Sequence, residues 1–94
     1  MAAVSVPFTL PGLLASCTGG QNTVHVEAET VAGGIEALLA AWPLLKVHLY
    51  EEGGQLRPHV MFLYNDQSIK WLPSLEIPLQ PGDKMTVLQL VSGG

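Results

Sequence analysis

The stretch Thr30–Pro43, TVAGGIEALLAAWP, decides the fold class. Val31, Ile35, Leu38, Leu39 and Trp42 fall at successive spacings of 4, 3, 1 and 3 residues, which gathers them into one apolar stripe of an α-helix. Thr30 supplies an N-cap oxygen for a first-turn N–H, while Gly33 holds the place where a capping-box acid would stand. Gly33 and Gly34 each cost a helix about 1 kcal/mol against alanine. Packing has to offset that, and close approach of the first turn to a sheet is the expected means. Pro43 ends the helix, because the residue before a proline is pushed out of the α region.

Both flanks of this helix read as strands. Upstream, Val24, Val26 and Ala28 alternate with Thr23, His25 and Glu27, and Val4, Val6, Phe8 and Leu10 alternate with Ser5, Pro7 and Thr9. Pro7 has no N–H, so its strand is expected at a sheet edge or with that position unpaired. Pro11–Gly20 reads as a loop between the two. Downstream, Leu44–Tyr50 admits either a short turn of helix or an irregular arm. His59–Tyr64 (HVMFLY) is a strand apolar on both faces. Asn65-Asp66 tolerates positive φ, and Ser68–Leu72 is expected to return as a short strand. Pro73–Asp83 carries three prolines and reads as an irregular crossing, before a last strand over Lys84–Val91 (KMTVLQLV). The order β-β-α-β-β-β predicts an α+β roll: a mixed sheet of four to five strands with one main helix packed on one face. The first and last strands are expected as central, parallel neighbours.

Ninety-four residues make a single domain, 1–94, ending in a Gly-Gly tail at 92–94. An apolar share of 48% against 13% charged excludes a disordered chain. Eight acids against four bases give a net charge of -4, and the bases (Lys46, Arg57, Lys70, Lys84) never cluster, which excludes a phosphate-backbone binder. No apolar run reaches the ~18 residues of a membrane span. One cysteine cannot close an internal disulfide, so a reducing, cytoplasmic setting is expected. Leu14-Ala15-Ser16-Cys17 has the form of a lipoprotein processing box, but no Lys or Arg precedes Lys46, so the cationic leader is missing.

No catalytic constellation declares itself. His25, His48 and His59 lack metal-ligand spacing, and no metal site is expected. Cys17, read in a polar loop, has no neighbouring cation to lower its pKa. Asp66 and Asp83 fall in turns, where carboxylates accept from the backbone. The terminal Ser92-Gly93-Gly94 admits two readings: a frayed end, or a slender arm able to carry the α-carboxylate into a narrow channel. Counted from Leu90, that arm spans up to ~17 Å.

Several segments, in order, carry a more specific resemblance: Glu29-Thr30-Val31 opening the helix, Gln55-Leu56-Arg57-Pro58-His59-Val60, Leu63-Tyr64-Asn65-Asp66, Pro81-Gly82-Asp83 and the terminal Val91-Ser92-Gly93-Gly94. Across essentially the whole chain these resemble the MoaD/ThiS family of ubiquitin-like sulfur carriers. The long loops Pro11–Asn22 and Tyr50–Pro58 are similar to those of the longer members, which serve cysteine biosynthesis and sulfur-containing natural products. Ser92 stands where many members carry alanine, and the last strand lacks the proline common just before the tail.

The resemblance implies a β-grasp fold and a protein cosubstrate with no catalytic residues of its own. A partner enzyme would use ATP and Mg²⁺ to adenylate the carboxylate of Gly94. Sulfur would then replace AMP to give a thiocarboxylate, which a sulfur-accepting synthase would consume. Ser92, Gly93 and Gly94 would thread the partners' active sites. Two further roles stay open: the small subunit of molybdopterin synthase, and a ubiquitin-like modifier forming isopeptides through Gly94. The strand His59–Tyr64 offers two apolar sets, and the helix can cover only one. Met61 and Leu63, joined by Leu88 and Leu90, are expected to form the docking face. Burial of that set beneath the Leu44–Tyr50 arm is the competing expectation.

Overall fold

The computed structural model describes residues 3–89. Five strands, β1 (Val4–Thr9), β2 (Thr23–Ala28), β3 (Val60–Tyr64), β4 (Gln67–Ser68) and β5 (Met85–Gln89), form one mixed sheet in the order β2-β1-β5-β3-β4. β1 and β5 are the parallel central pair, in register Phe8↔Met85 and Thr9↔Thr86, and every other pairing is antiparallel. Alternation turns Val6, Phe8, Val24, Val26, Val60, Phe62, Met85 and Val87 into a single buried core.

The main helix, α1 (Val31–Ala41), places Val31, Ile35 and Leu38 in that core. Its N-terminus is closed completely. Thr30 Oγ1 accepts from Gly33 N–H at 3.0 Å, and the crossing segment supplies carbonyls of Ile77 and Leu75 to the N–H groups of Val31 and Ala32. First-turn donors that would otherwise be orphaned are thus satisfied by side chain and backbone.

Of the two placements open to Pro7 the structure takes the second: β1 lies between β2 and β5, and its parallel ladder to β5 starts at Phe8, leaving the donor-less Pro7 outside it. Three expectations need correction. Residues Gly12–Thr18 form a 3-10 helix rather than a loop, because Leu14, Cys17 and Thr18 all turn inward. Cys17 is therefore a packed core residue, 7% exposed, and not a thiol in a polar loop. β4 stops at Ser68, whose Oγ accepts from Lys70 N–H and bends the chain into a short 3-10 turn, Ile69–Trp71.

The glycine pair is the third. A Cβ on Gly34 would sit 3.6 Å from Leu79 and 3.7 Å from Phe8, ordinary contact distances, so no close approach demands that glycine. The segment read two ways is a helix, α2 (Pro43–Leu49), with Pro43 at its first position and Leu45 and Leu49 fully buried in the common core. Among the described residues, no helix is long and apolar enough to cross a membrane.

Candidate functional site

β5 runs parallel to β1 and antiparallel to β3, which fixes what surrounds its end. The 3-10 helix that follows β1 and the loop that precedes β3 both lie at the end of the sheet where β5 finishes. Gln89, the last described residue, stands opposite Val60, the first residue of β3. Val60 N–H in turn donates to the carbonyl of Arg57 at 3.0 Å, and Arg57 N–H to that of Leu49 at 2.9 Å. The root of the tail is thereby tied through two hydrogen bonds to α2. Gln89 Oε1 is buried with no hydrogen-bond partner among the described residues, an arrangement that costs about 1–3 kcal/mol.

Residues paired directly across an antiparallel ladder share a face. On the helix-covered face, Phe62 meets Val87 and both are about 1% exposed. On the opposite face Met61 meets Leu88 and Leu63 meets Thr86. Met61 and Leu63 are half-buried there, and Leu88 is 36% exposed. α2 does not cover this set, because its buried Leu45 and Leu49 belong to the core on the other side. The structure therefore brings Met61, Leu63 and Leu88 together on the uncovered face of the sheet. Leu90, Ser92, Gly93 and Gly94 lie outside the described residues.

The remaining chemistry-bearing side chains stay apart. His25, His48 and His59 are exposed on different elements, and among the described residues no group of three or more His, Cys, Asp or Glu could hold a metal ion. Asp83 has a structural task beyond the backbone acceptance expected of it. It accepts from the Tyr64 phenol at 2.6 Å, from Gln80 N–H at 2.9 Å and from Asn65 Nδ2 at 3.3 Å. Burial pushes its carboxyl pKa up, but these hydrogen bonds outweigh burial and hold it below the usual value. The bond to Asp83, with lesser help from burial and the carboxylate's charge, raises the Tyr64 phenol.

A profile of the ThiS family matches residues 8–94, nearly the whole chain. The chain belongs to the ThiS family. Among curated relatives of this ThiS-family chain is the sulfur carrier protein CysO of Mycobacterium tuberculosis, 28% identical over 93 residues that cover 97% of this chain and 100% of that one. Among solved structures, a chain of the Amycolatopsis orientalis BexX/CysO complex superposes with a TM-score of 0.77 at 28% identity, the match covering 95% of this chain and 99% of that one. Small archaeal modifier protein 1 of Methanosarcina acetivorans gives a TM-score of 0.80 at 26% identity with full coverage of both chains. The fold is the ubiquitin-like β-grasp, as the sequence resemblance implied.

One feature of this ThiS-family chain escaped the sequence reading. α2 and the loop after it enclose a cleft of about 460 Å³ at the tail end of the molecule. Its signal was present: Pro43, Lys46, Val47 and Tyr50 stand at i, i+3, i+4 and i+7, one face of a helix. Recognising that period would also have settled α2.

Proposed function

We propose that this chain is a sulfur carrier whose reactive group is the carboxylate of Gly94. The supporting observation is that the ThiS match runs through Gly94, while the alignment with the sulfur carrier CysO spans that relative from end to end. A carboxylate is a poor acyl electrophile at neutral pH, so it must be activated. A partner enzyme transfers AMP from ATP, with Mg²⁺, onto the Gly94 carboxylate and releases pyrophosphate. Sulfide attacks the acyl carbon, AMP departs, and a thiocarboxylate remains. Where a partner's persulfide attacks instead, a second thiol of the partner cleaves the resulting acyl disulfide, releasing the thiocarboxylate and leaving a disulfide on the partner. That terminal sulfur is then delivered to an acceptor held by a second enzyme.

The protein's own part is presentation. Ser92 and two glycines without Cβ atoms form an arm thin enough for a narrow channel. Gln89 anchors its root in the β3–β5 ladder. Met61, Leu63 and Leu88, with Leu90, supply the apolar docking face on which partners seat. The groups that carry out bond making belong to the partners.

Intact mass of the protein isolated from its own cells tests this. We expect a species about 16 Da heavier, the same increment as one oxidation, whose alkyl-trapped sulfur maps to the C-terminal peptide and not to Cys17 or a methionine. A terminus that never carries sulfur would sink the proposal. The similarity to a small archaeal modifier protein supports a second reading, in which activated Gly94 forms an isopeptide with a target lysine. Conjugates that survive thiol reductant would mark that route.

A further inference from the structure

We propose that the cleft between α2 and the loop Tyr50–Arg57 is a recognition socket for the enzyme that adenylates the tail, receiving an apolar side chain of that enzyme; the inference rests on the carrier reading above. α2 presents Pro43, Lys46, Val47 and Tyr50 as one wall, and Glu51 and Arg57 stand on the other. The loop is held shut by a bridge between Tyr50 and Leu56 and by Glu51 N–H donating to the Gln55 carbonyl at 2.7 Å. The Arg57 guanidinium is fixed to the Val47 carbonyl at 3.2 Å. The walls are thus braced against each other before anything binds.

The lining selects the occupant. The rim carries two bases, Lys46 and Arg57, and two acids, Glu51 and Glu52, so it has no net charge to draw in a nucleotide phosphate or another anion. Pro43, Val47 and the Tyr50 ring make the apolar part of the lining. Val47 is 63% exposed, and beside the cleft Leu44, one turn away on α2, is 57% exposed. The 3-10 helix packed against α2 adds Leu13 at 73%. These are three of the most exposed large apolar side chains among the described residues, and all belong to the tail end of the molecule. Apolar surface rimmed by charge is the composition of a protein docking site.

Tail length says which surface must be touched. From Leu90 to Gly94 five residues span at most ~17 Å. An enzyme that draws the carboxylate into its interior must therefore press its channel mouth against the end where Gln89 emerges, and the cleft sits there, two hydrogen bonds from Gln89's partner Val60. Adenylation is the step that most needs such a mark. The enzyme meets the chain before any reactive group exists, when the tail offers only Ser92, two glycines and a carboxylate. Discrimination has to come from the body beside it.

The adenylating enzyme is obtained from the chain's own cells as the activity that exchanges labelled pyrophosphate into ATP only when this chain is added. Val47→Asp and Leu44→Asp are made in the full chain, with Ala40→Asp on exposed α1 as a control for added charge. We expect both α2 variants to keep the wild-type unfolding midpoint, to raise the carrier concentration for half-maximal exchange at least tenfold, and to leave the maximal rate unchanged. Wild-type concentration dependence in both variants overturns the socket. So does a wild-type dimer that Val47→Asp dissolves, because the cleft would then belong to a second copy. Deletion of Gly94 separates the two proposals. Exchange that persists without Gly94, through the carboxylate then carried by Gly93, removes Gly94 as the reactive end, whereas exchange lost with Gly94 but untouched by Val47→Asp removes the socket alone.

Discussion

The phenol of Tyr64, at the end of β3, donates a 2.6 Å hydrogen bond to Oδ2 of Asp83 across 19 residues of chain. Asn65, at φ 54, joins the same junction: its Nδ2 donates to Asp83, its Oδ1 accepts from Lys84 N–H at 3.1 Å, and its own N–H donates to the Lys84 carbonyl at 2.8 Å. The Asn65-Asp66 turn and the Pro81-Gly82 turn are thereby fastened together where β5 begins. This fixes the start of the strand whose other end leads to the tail.

The clasp has a pH signature. Asp83 titrates below its ordinary value in the fold, so its contribution is complete above about pH 4 and is lost as pH falls through the lowered pKa. Tyr64 titrates above its ordinary value, so its contribution is complete below about pH 10 and is lost as pH rises through the raised one. Tyr64→Phe should cost about 1 kcal/mol near neutrality. In urea unfolding, the gap between wild type and Tyr64→Phe should narrow as pH falls below the ordinary carboxylate range and through the lowered pKa of Asp83. An equal gap near neutrality and at low pH would show that the phenol contributes only packing.

Two neighbouring glycines should respond differently to the same methyl group. Gly34→Ala finds ordinary contacts with Leu79 and Phe8 and recovers helix propensity, so it should stabilise by about 0.5–1 kcal/mol. At Gly33 the new Cβ would meet Thr30 Oγ1 at 3.2 Å, the atom that caps the helix through Gly33's own N–H. Crowding that cap should cancel the propensity gain. Thermal unfolding of the two single variants checks the contrast.

What the sequence disclosed and what it hid divide along physical lines. Periodic apolar residues fixed α1 and the long strands, and the Thr30 cap and the Asn65 turn followed from side-chain chemistry alone. The parallel pairing of β1 and β5 followed from the single crossover helix. Gly12–Thr18 was hidden because Pro11, Gly12, Gly19 and Gly20 bracket it with turn signals, and a tight 3-10 helix leaves no 3.6-residue period to read. The backbone bond network that closes α1 through Leu75 and Ile77 uses carbonyls, which carry no sequence signature. Of the candidate site, the facing of Met61 and Leu63 was legible from alternation. Of the cleft, the face Pro43, Lys46, Val47 and Tyr50 was legible as a helical period, while the facing wall was not, since it forms only once the Tyr50–Leu56 bridge folds the loop back.

α2 separates core from surface within one turn, and that gives a clean test of its helical register. Leu49 is fully buried while Val47 is 63% exposed. Leu49→Ala should lose about 2–5 kcal/mol through lost transfer energy and the cavity left behind, whereas Val47→Ala should stay within about 0.5 kcal/mol of wild type. An irregular arm in place of α2 would blur that difference, and chemical denaturation of both variants measures it.

The pairing of Met61 with Leu88 allows docking to be tested apart from folding. Each is only partly covered, so Met61→Asp or Leu88→Lys should shift stability by no more than about 1 kcal/mol. Phe62→Asp, one residue along the same strand but facing the core, should unfold the protein by burying a charge. If the uncovered face seats a partner enzyme, each single variant on it should raise the carrier concentration for half-maximal pyrophosphate exchange at least tenfold, about 1.4 kcal/mol of binding energy. The double variant Met61→Asp, Leu88→Lys places opposite charges directly across the ladder and should regain part of the lost stability. It should not regain partner affinity, because an ion pair cannot replace the apolar surface. Recovery of exchange along with stability would mean that the two residues matter only to the sheet.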